Sequence, residues 1–180
     1  STIVEEGEDW IQITTNYDNY PCWISAKQHT RITNTDFKSL TTTVLSSELV
    51  QVISNKNTNS VFPLTVGATL PNFNDGKFKI GDVEYSFEGQ TVDGSIKTIN
   101  DLKATAYLFL NAPYLWGGRS PFGIDCSGFT QLVYKLNGYQ LPRDASQQVE
   151  LGNPLSFVEE AEAGDLAFFD NEEGNIVHVG

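Results

Sequence analysis

The chain has 180 residues, 39% of them hydrophobic and 12% aromatic. That composition can bury a core and argues against a disordered segment. Eleven Lys and Arg face 23 Asp and Glu, a net charge of -12, so the basic footprint that nucleic acid or an anionic membrane surface requires is missing.

No apolar run approaches the roughly 18 residues of a membrane span, and no signal peptide opens the chain. There is no Met anywhere, and a segment of a longer protein is expected. The first hundred residues read as short strands. Trp10-Ile11-Gln12-Ile13-Thr14 alternates apolar and polar, Pro21-Cys22-Trp23-Ile24 does so less cleanly, and Asn16 to Asn19 forms the turn between them. Leu49 to Ile53 and Val61 to Val66 follow, then Lys77 to Ile80 paired with Val83 to Phe87 across Gly81-Asp82, a hairpin signal. Strands of this length and spacing predict small barrels. The stretch "EEGEDWIQITTNYDNYPCWIS" resembles the back half of a bacterial SH3-like domain. "VFPLTVGATLP" with "KFKIGDVEYSF" resembles a second, more divergent one.

Near Ile99 the texture changes. Asn100 is the expected N-cap of a helix running through Leu102, Ala106, Phe109 and Leu110, which must stop before Pro113. The next helix is better defined: Phe129, Leu132, Val133 and Leu136 make one apolar stripe, Asp125 caps its start and Gly138 stops its end. Gly164 to Phe169 and Ile176 to Val179 read as strands of a hairpin. The division expected is 1–43 for part of a first SH3-like domain, 44–95 for a second, and 96–180 for a helix-and-sheet domain.

Cys126 falls in the first turn of the second helix. A thiol reacts as its thiolate, and orphan N–H groups with the positive end of the helix dipole stabilise that anion. Gly117, Gly118 and Gly123 let the preceding loop pass close to the sulfur. Taken alone, a Cys at a helix start reads as a small buried apolar residue. Of the two histidines, His178 lies on a strand that can neighbour the Cys helix, the arrangement of a Cys–His pair. On an apolar strand it also reads as a core histidine. His29, in a polar turn, reads as a surface residue. Cys22 and Cys126 are taken as unrelated thiols. Neither His has a second ligand at zinc-site spacing, so no metal and no cofactor is expected.

Tyr-x-Trp-Gly-Gly from Tyr114, Gly-x-Asp-Cys-Ser-Gly-Phe from Gly123, Leu-Pro-Arg-x-x-x-x-Gln from Leu141, Gly-Asp-Leu from Gly164 and His-Val-Gly from His178 occur in this order over about residues 105–180. Together they resemble the NlpC-type peptidase family. The resemblance implies an α+β, papain-like domain in which a Cys-bearing helix packs on an antiparallel sheet bearing the His, here behind a small all-β SH3-like region. It implies Cys126 as nucleophile, His178 as base and Tyr114 as oxyanion partner, with the polar residue that orients the imidazole lying on a strand beyond Gly180. It also implies a peptidoglycan stem peptide or muropeptide as substrate, cut between γ-D-glutamate and a diamino acid, in a subset only when the N-terminal L-Ala is free. In that subset Asp125 and Ser127 hold the amine and peptide, with Trp116, Asp144 and Ser146 as pocket walls and Tyr20 closing the pocket. Asp125 reads equally as the helix cap. The working compartment implied is the cell envelope, or the cytosol for a recycling enzyme. An amidase or acyltransferase on the same Cys–His platform, and a wall-binding protein with a vestigial peptidase domain, are the alternatives.

Overall fold

Alternating apolar and polar side chains lay down the first sheet. In the computed structural model, which describes residues 1–41 and 43–180, β1 (Thr2–Glu6), β2 (Trp10–Thr14) and β3 (Pro21–Ser25) pair antiparallel in that order. Trp10 stands opposite Ser25 and Thr14 opposite Pro21. Ile11 and Ile13 are buried while Trp10 is exposed, so the period of two buries one face. The turn predicted between β2 and β3 is present. The Thr15 N–H donates to the Tyr20 carbonyl at 3.0 Å, and the Thr15 hydroxyl donates to the Asp18 carboxylate inside the turn. A short helix α1 (Asn34–Ser39) follows, its first turn capped by the Thr33 hydroxyl.

The second β region contains β4 (Thr43–Ser46), β5 (Val50–Asn55), β6 (Val61–Thr65), β7 (Thr69–Pro71), β8 (Lys77–Ile80), β9 (Val83–Phe87) and β10 (Thr91–Val92). These form a three-stranded sheet, β10-β4-β7, and a four-stranded sheet, β6-β5-β9-β8. The hairpin across Gly81-Asp82 sits in the expected register, Ile80 opposite Val83. Ile53, Leu70, Phe78 and Phe87 fill the core, with Phe78 stacked on Tyr85 at 5.1 Å. The expected barrels are corrected here. Among the described residues the sheets stay open, because β7 and β10 are too short to bridge one sheet to the other, and an SH3-like barrel is not clearly formed.

The remainder runs α2 (Ile99–Leu108), β11 (Arg119–Ser120), β12 (Gly123–Ile124), α3 (Cys126–Leu136), α4 (Ala145–Gln148), β13 (Phe168–Asp170) and β14 (Ile176–Val179). The cap of α2 is Thr98, not Asn100. Thr98 and Asp101 form a reciprocal capping box, the Thr98 hydroxyl accepting from the Asp101 N–H and the Asp101 carboxylate accepting from the Thr98 N–H at 3.0 Å. Asn100 lies inside the helix and cannot serve its start. The apolar stripe of α3 buries Leu132, Val133 and Leu136 against Leu45 and Val66 of the second β region, Phe109 and Ile124. The connection into α2 is seated on the end of α3. Gly138, at φ +84°, closes the helix where a Cβ would come within 2.4 Å of the Ser95 carbonyl carbon. The Lys97 N–H donates to the Asn137 carbonyl. Among the described residues no helix is long and apolar enough to cross a membrane.

Candidate active site

Cys126 is the first residue of α3, half-buried, with Asp125 as the cap before it. Small residues are required here: a Cβ on Gly128 would lie 2.4 Å from the Gly118 carbonyl oxygen, so the loop carrying Gly117 and Gly118 lies directly on the first turn. Asp125 holds that packing together. Its Oδ1 accepts from the Gly128 N–H at 2.7 Å and from Arg143 Nη1 at 3.0 Å. Its Oδ2 accepts from the Gly117 N–H at 2.8 Å and from Arg143 Nη2 at 2.6 Å. A carboxylate offers about four lone-pair positions, and all four are filled by the protein. Burial pushes the Asp125 carboxyl up, but Arg143 and the two backbone N–H groups outweigh it and hold the group below the ordinary carboxylate range. Of the two roles open to Asp125, the geometry supports the cap.

Arg143 also donates to the Ser127 hydroxyl at 2.9 Å. Ser127 is therefore buried and engaged through the same guanidinium. Gln148 completes the frame, its amide donating to the Ser127 carbonyl at 3.0 Å and the Pro142 carbonyl at 2.9 Å while it accepts from the Thr130 hydroxyl. This ties the first turn of α3 to α4. Both helices pack on β14, the strand that carries His178. His178 is exposed and stands opposite Phe169 on β13, ring centroids 5.6 Å apart.

The turn between β2 and β3 docks on the other flank of α3. Asp18, its side chain fully buried, takes Arg119 Nη1 at 3.0 Å and Gln131 Nε2 at 2.8 Å. Tyr17 donates its hydroxyl to the Tyr139 carbonyl and accepts at its own carbonyl from Gln140 at 2.6 Å. The Lys135 ammonium lies 4.4 Å from the Tyr17 ring centre. This places Tyr20 beside Asp144 and Arg143, where burial and then the Asp144 charge push its phenol up. Asp144 itself precedes α4, and Ser146 is exposed in that helix.

Tyr114 pairs as an isolated bridge with Ile124, two residues before Cys126, and is exposed. Trp116 is 83% exposed, next to the Gly117 N–H that Asp125 accepts. Cys22 and Cys126 are both free thiols.

A family model described as the NlpC/P60 family matches residues 111–180. Residues 111–180 form its NlpC/P60 portion. A gamma-D-glutamyl-L-lysine dipeptidyl-peptidase of Bacillus subtilis (strain 168) is 49% identical over 85 residues, 46% of this chain and 28% of that protein. A protein of the same name from Bacillus cereus (strain ATCC 10987 / NRS 248) is 31% identical over 205 residues, 99% of this chain and 60% of that protein. The chain thus spans less than two thirds of either relative. The crystal structure of an NlpC/P60 family protein from Bacillus cereus ATCC 10987 superposes with a TM-score of 0.80 at 26% identity, covering 99% of this chain and 66% of that one.

The chain therefore shares its mixed α/β fold with that NlpC/P60 family protein over 99% of its length. Two of its residues escaped assignment in the sequence. Arg143 and Gln148 were visible as the Arg and Gln of Leu-Pro-Arg-x-x-x-x-Gln, five residues apart, and that spacing spans the short α4. Only the three-dimensional frame shows that both reach back to the first turn of α3.

Proposed function

We propose that the protein is a cysteine endopeptidase that cuts the γ-D-glutamyl to diamino-acid bond of peptidoglycan stem peptides bearing a free N-terminal L-Ala. The observation that carries the reading is Cys126 at the start of a helix whose cap is locked by a buried Arg143–Asp125 pair, within an NlpC/P60 domain. The names of the two Bacillus relatives support the bond cleaved.

In this mechanism His178 takes the thiol proton and the Cys126 sulfur adds to the scissile carbonyl. N–H groups at the start of α3, with Tyr114, stabilise the oxyanion. The imidazolium returns the proton to the diamino-acid amine as the C–N bond breaks, leaving a thioester that water hydrolyses. Because Asp125 has no acceptor position left, selection of the L-Ala ammonium falls to the rim, where Asp144 stands beside Tyr20, with Trp116 and Ser146 as further walls and Ser127 behind them. A wall peptide as substrate sets the cell envelope as the working compartment.

The test is product analysis on L-Ala-γ-D-Glu-L-Lys and its N-acetylated form. The free peptide should yield L-Ala-γ-D-Glu and lysine, and the acetylated one should react slower by about tenfold, since the half-buried Asp144 carboxylate then has no ammonium to pair with. Cys126→Ser should abolish turnover while the protein stays folded. Turnover retained in Cys126→Ser removes the nucleophile assignment. Equal rates on the two peptides remove amine selection.

A further inference from the structure

One buried carboxylate joins the turn that carries Tyr20 to the helix that carries Cys126. Asp18 has no side-chain exposure, and its two oxygens face opposite ways. Oδ1 accepts from the Thr15 hydroxyl and from the Tyr20 N–H at 3.4 Å, inside the turn. Oδ2 accepts from Arg119 Nη1 and Gln131 Nε2, on the NlpC/P60 domain. Gln131 has both of its side-chain N–H groups engaged. It accepts from Arg119 Nη1 at 3.0 Å and donates its second N–H to the Leu141 carbonyl at 3.0 Å, two residues before Arg143. A buried charge with these partners has one low-energy position, because any shift of the turn leaves a carboxylate or an amide unpaired.

We infer that Asp18 is a positioning residue for the substrate rim: through Arg119 and Gln131 it fixes the β2–β3 turn on α3, and so fixes Tyr20 beside Asp144. This rests on the peptidase reading for its substrate, and it assigns Asp18 no contact with the reacting atoms. An unlatched turn leaves Cys126, its cap and Arg143 in place, so the loss falls on substrate capture rather than on the chemical step.

The experiment uses the full chain with Asp18→Asn, Arg119→Gln and the double variant, and three readouts. Hydrogen exchange over residues 15–20 should speed up by about tenfold in Asp18→Asn, since the turn loses its charge-assisted bond to Arg119. On L-Ala-γ-D-Glu-L-Lys, KM should rise by about tenfold with kcat changed less than about threefold. The pH profile of Cys126 alkylation by iodoacetamide should not move. Arg119→Gln should shift exchange and KM the same way, and the double variant should be no worse than Asp18→Asn, as for two groups acting through one contact. Should Asp18→Asn fail to fold, Arg119→Gln decides alone, because its side chain is partly exposed. Wild-type exchange and KM in either folded variant would overturn the inference. So would a loss confined to kcat with a shifted alkylation profile. If the wild type does not cleave the peptide, the peptidase reading fails, and exchange over residues 15–20 still decides whether the latch exists.

Discussion

The two β regions reach the same helix by opposite means. The second presents Leu45 and Val66 to the apolar stripe of α3, so that one core crosses between them. The first presents a polar turn: Asp18 to Arg119 and Gln131, Tyr17 to Tyr139, Gln140 and Lys135. Apolar contact is strong and tolerant of small slips, because its strength follows buried area. Buried hydrogen-bonded charge adds little net stability, but it tolerates no slip at all. The second joint is built to hold and the first to place.

Breaking the apolar joint should cost most. Leu132→Ala should lower stability by about 3 kcal/mol, seen as a melting temperature lower by roughly 6–12 °C, while KM at a temperature where the variant is folded stays near the wild-type value. A large KM change there would erase the distinction between the joints. In the polar joint, Gln131→Leu leaves the Leu141 carbonyl and one Asp18 position without a donor. The expected loss is about 2 kcal/mol in urea unfolding, accompanied this time by a raised KM.

Two titrations sharpen the comparison further. Burial, with Arg119 nearby, lowers the Lys135 ammonium to about 8. Between that value and the ordinary lysine range the unfolded chain holds more protons than the folded one, so stability rises with pH across this interval. Measured against Lys135→Met, the wild type should gain on the order of 2 kcal/mol from pH 8 to pH 10. A flat difference would mean that Lys135 titrates as an exposed amine. Asp18 gives the smallest signal. Burial pushes its carboxyl up, but Thr15, Gln131 and Arg119 outweigh burial and hold it below the ordinary range. Its contribution is therefore complete above the unfolded carboxylate value and is lost as pH falls through the folded one. The stability gap between wild type and Asp18→Asn should narrow on acidification below about pH 4. A gap that widens would reverse the sign assigned here.

What could be read from the sequence was local. The hairpin at Gly81-Asp82, the stripe of α3 and the Asp125 cap each depend on residues within one or two turns of each other, and each is where the pattern puts it. Thr98 was missed because Asn100 is an equally good cap by type, and only the reciprocal bond with Asp101 separates them. Open sheets were read as barrels because strand length and spacing do not encode closure. The polar joint left no trace, since Asp18 meets Arg119 and Gln131 across 101 and 113 residues of chain. The resemblance carried by the five motifs implied a Cys126 helix packed on the sheet that bears His178, but said nothing of what saturates Asp125.

Gly138 bears on whether the halves are portable. The end of α3 has no side chain at that point because the backbone of Ser95 and Ile96 occupies the space, and the Lys97 N–H completes the Asn137 carbonyl. The connecting segment is thus a structural part of the domain that it appears merely to precede. A graft that joins residues 98–180 to a foreign partner would strip α3 of that cover and of Leu45 and Val66 together. Swapping the β regions between relatives should therefore succeed only when the crossover falls upstream of β4, where the joint is polar and its partners can be moved as a set.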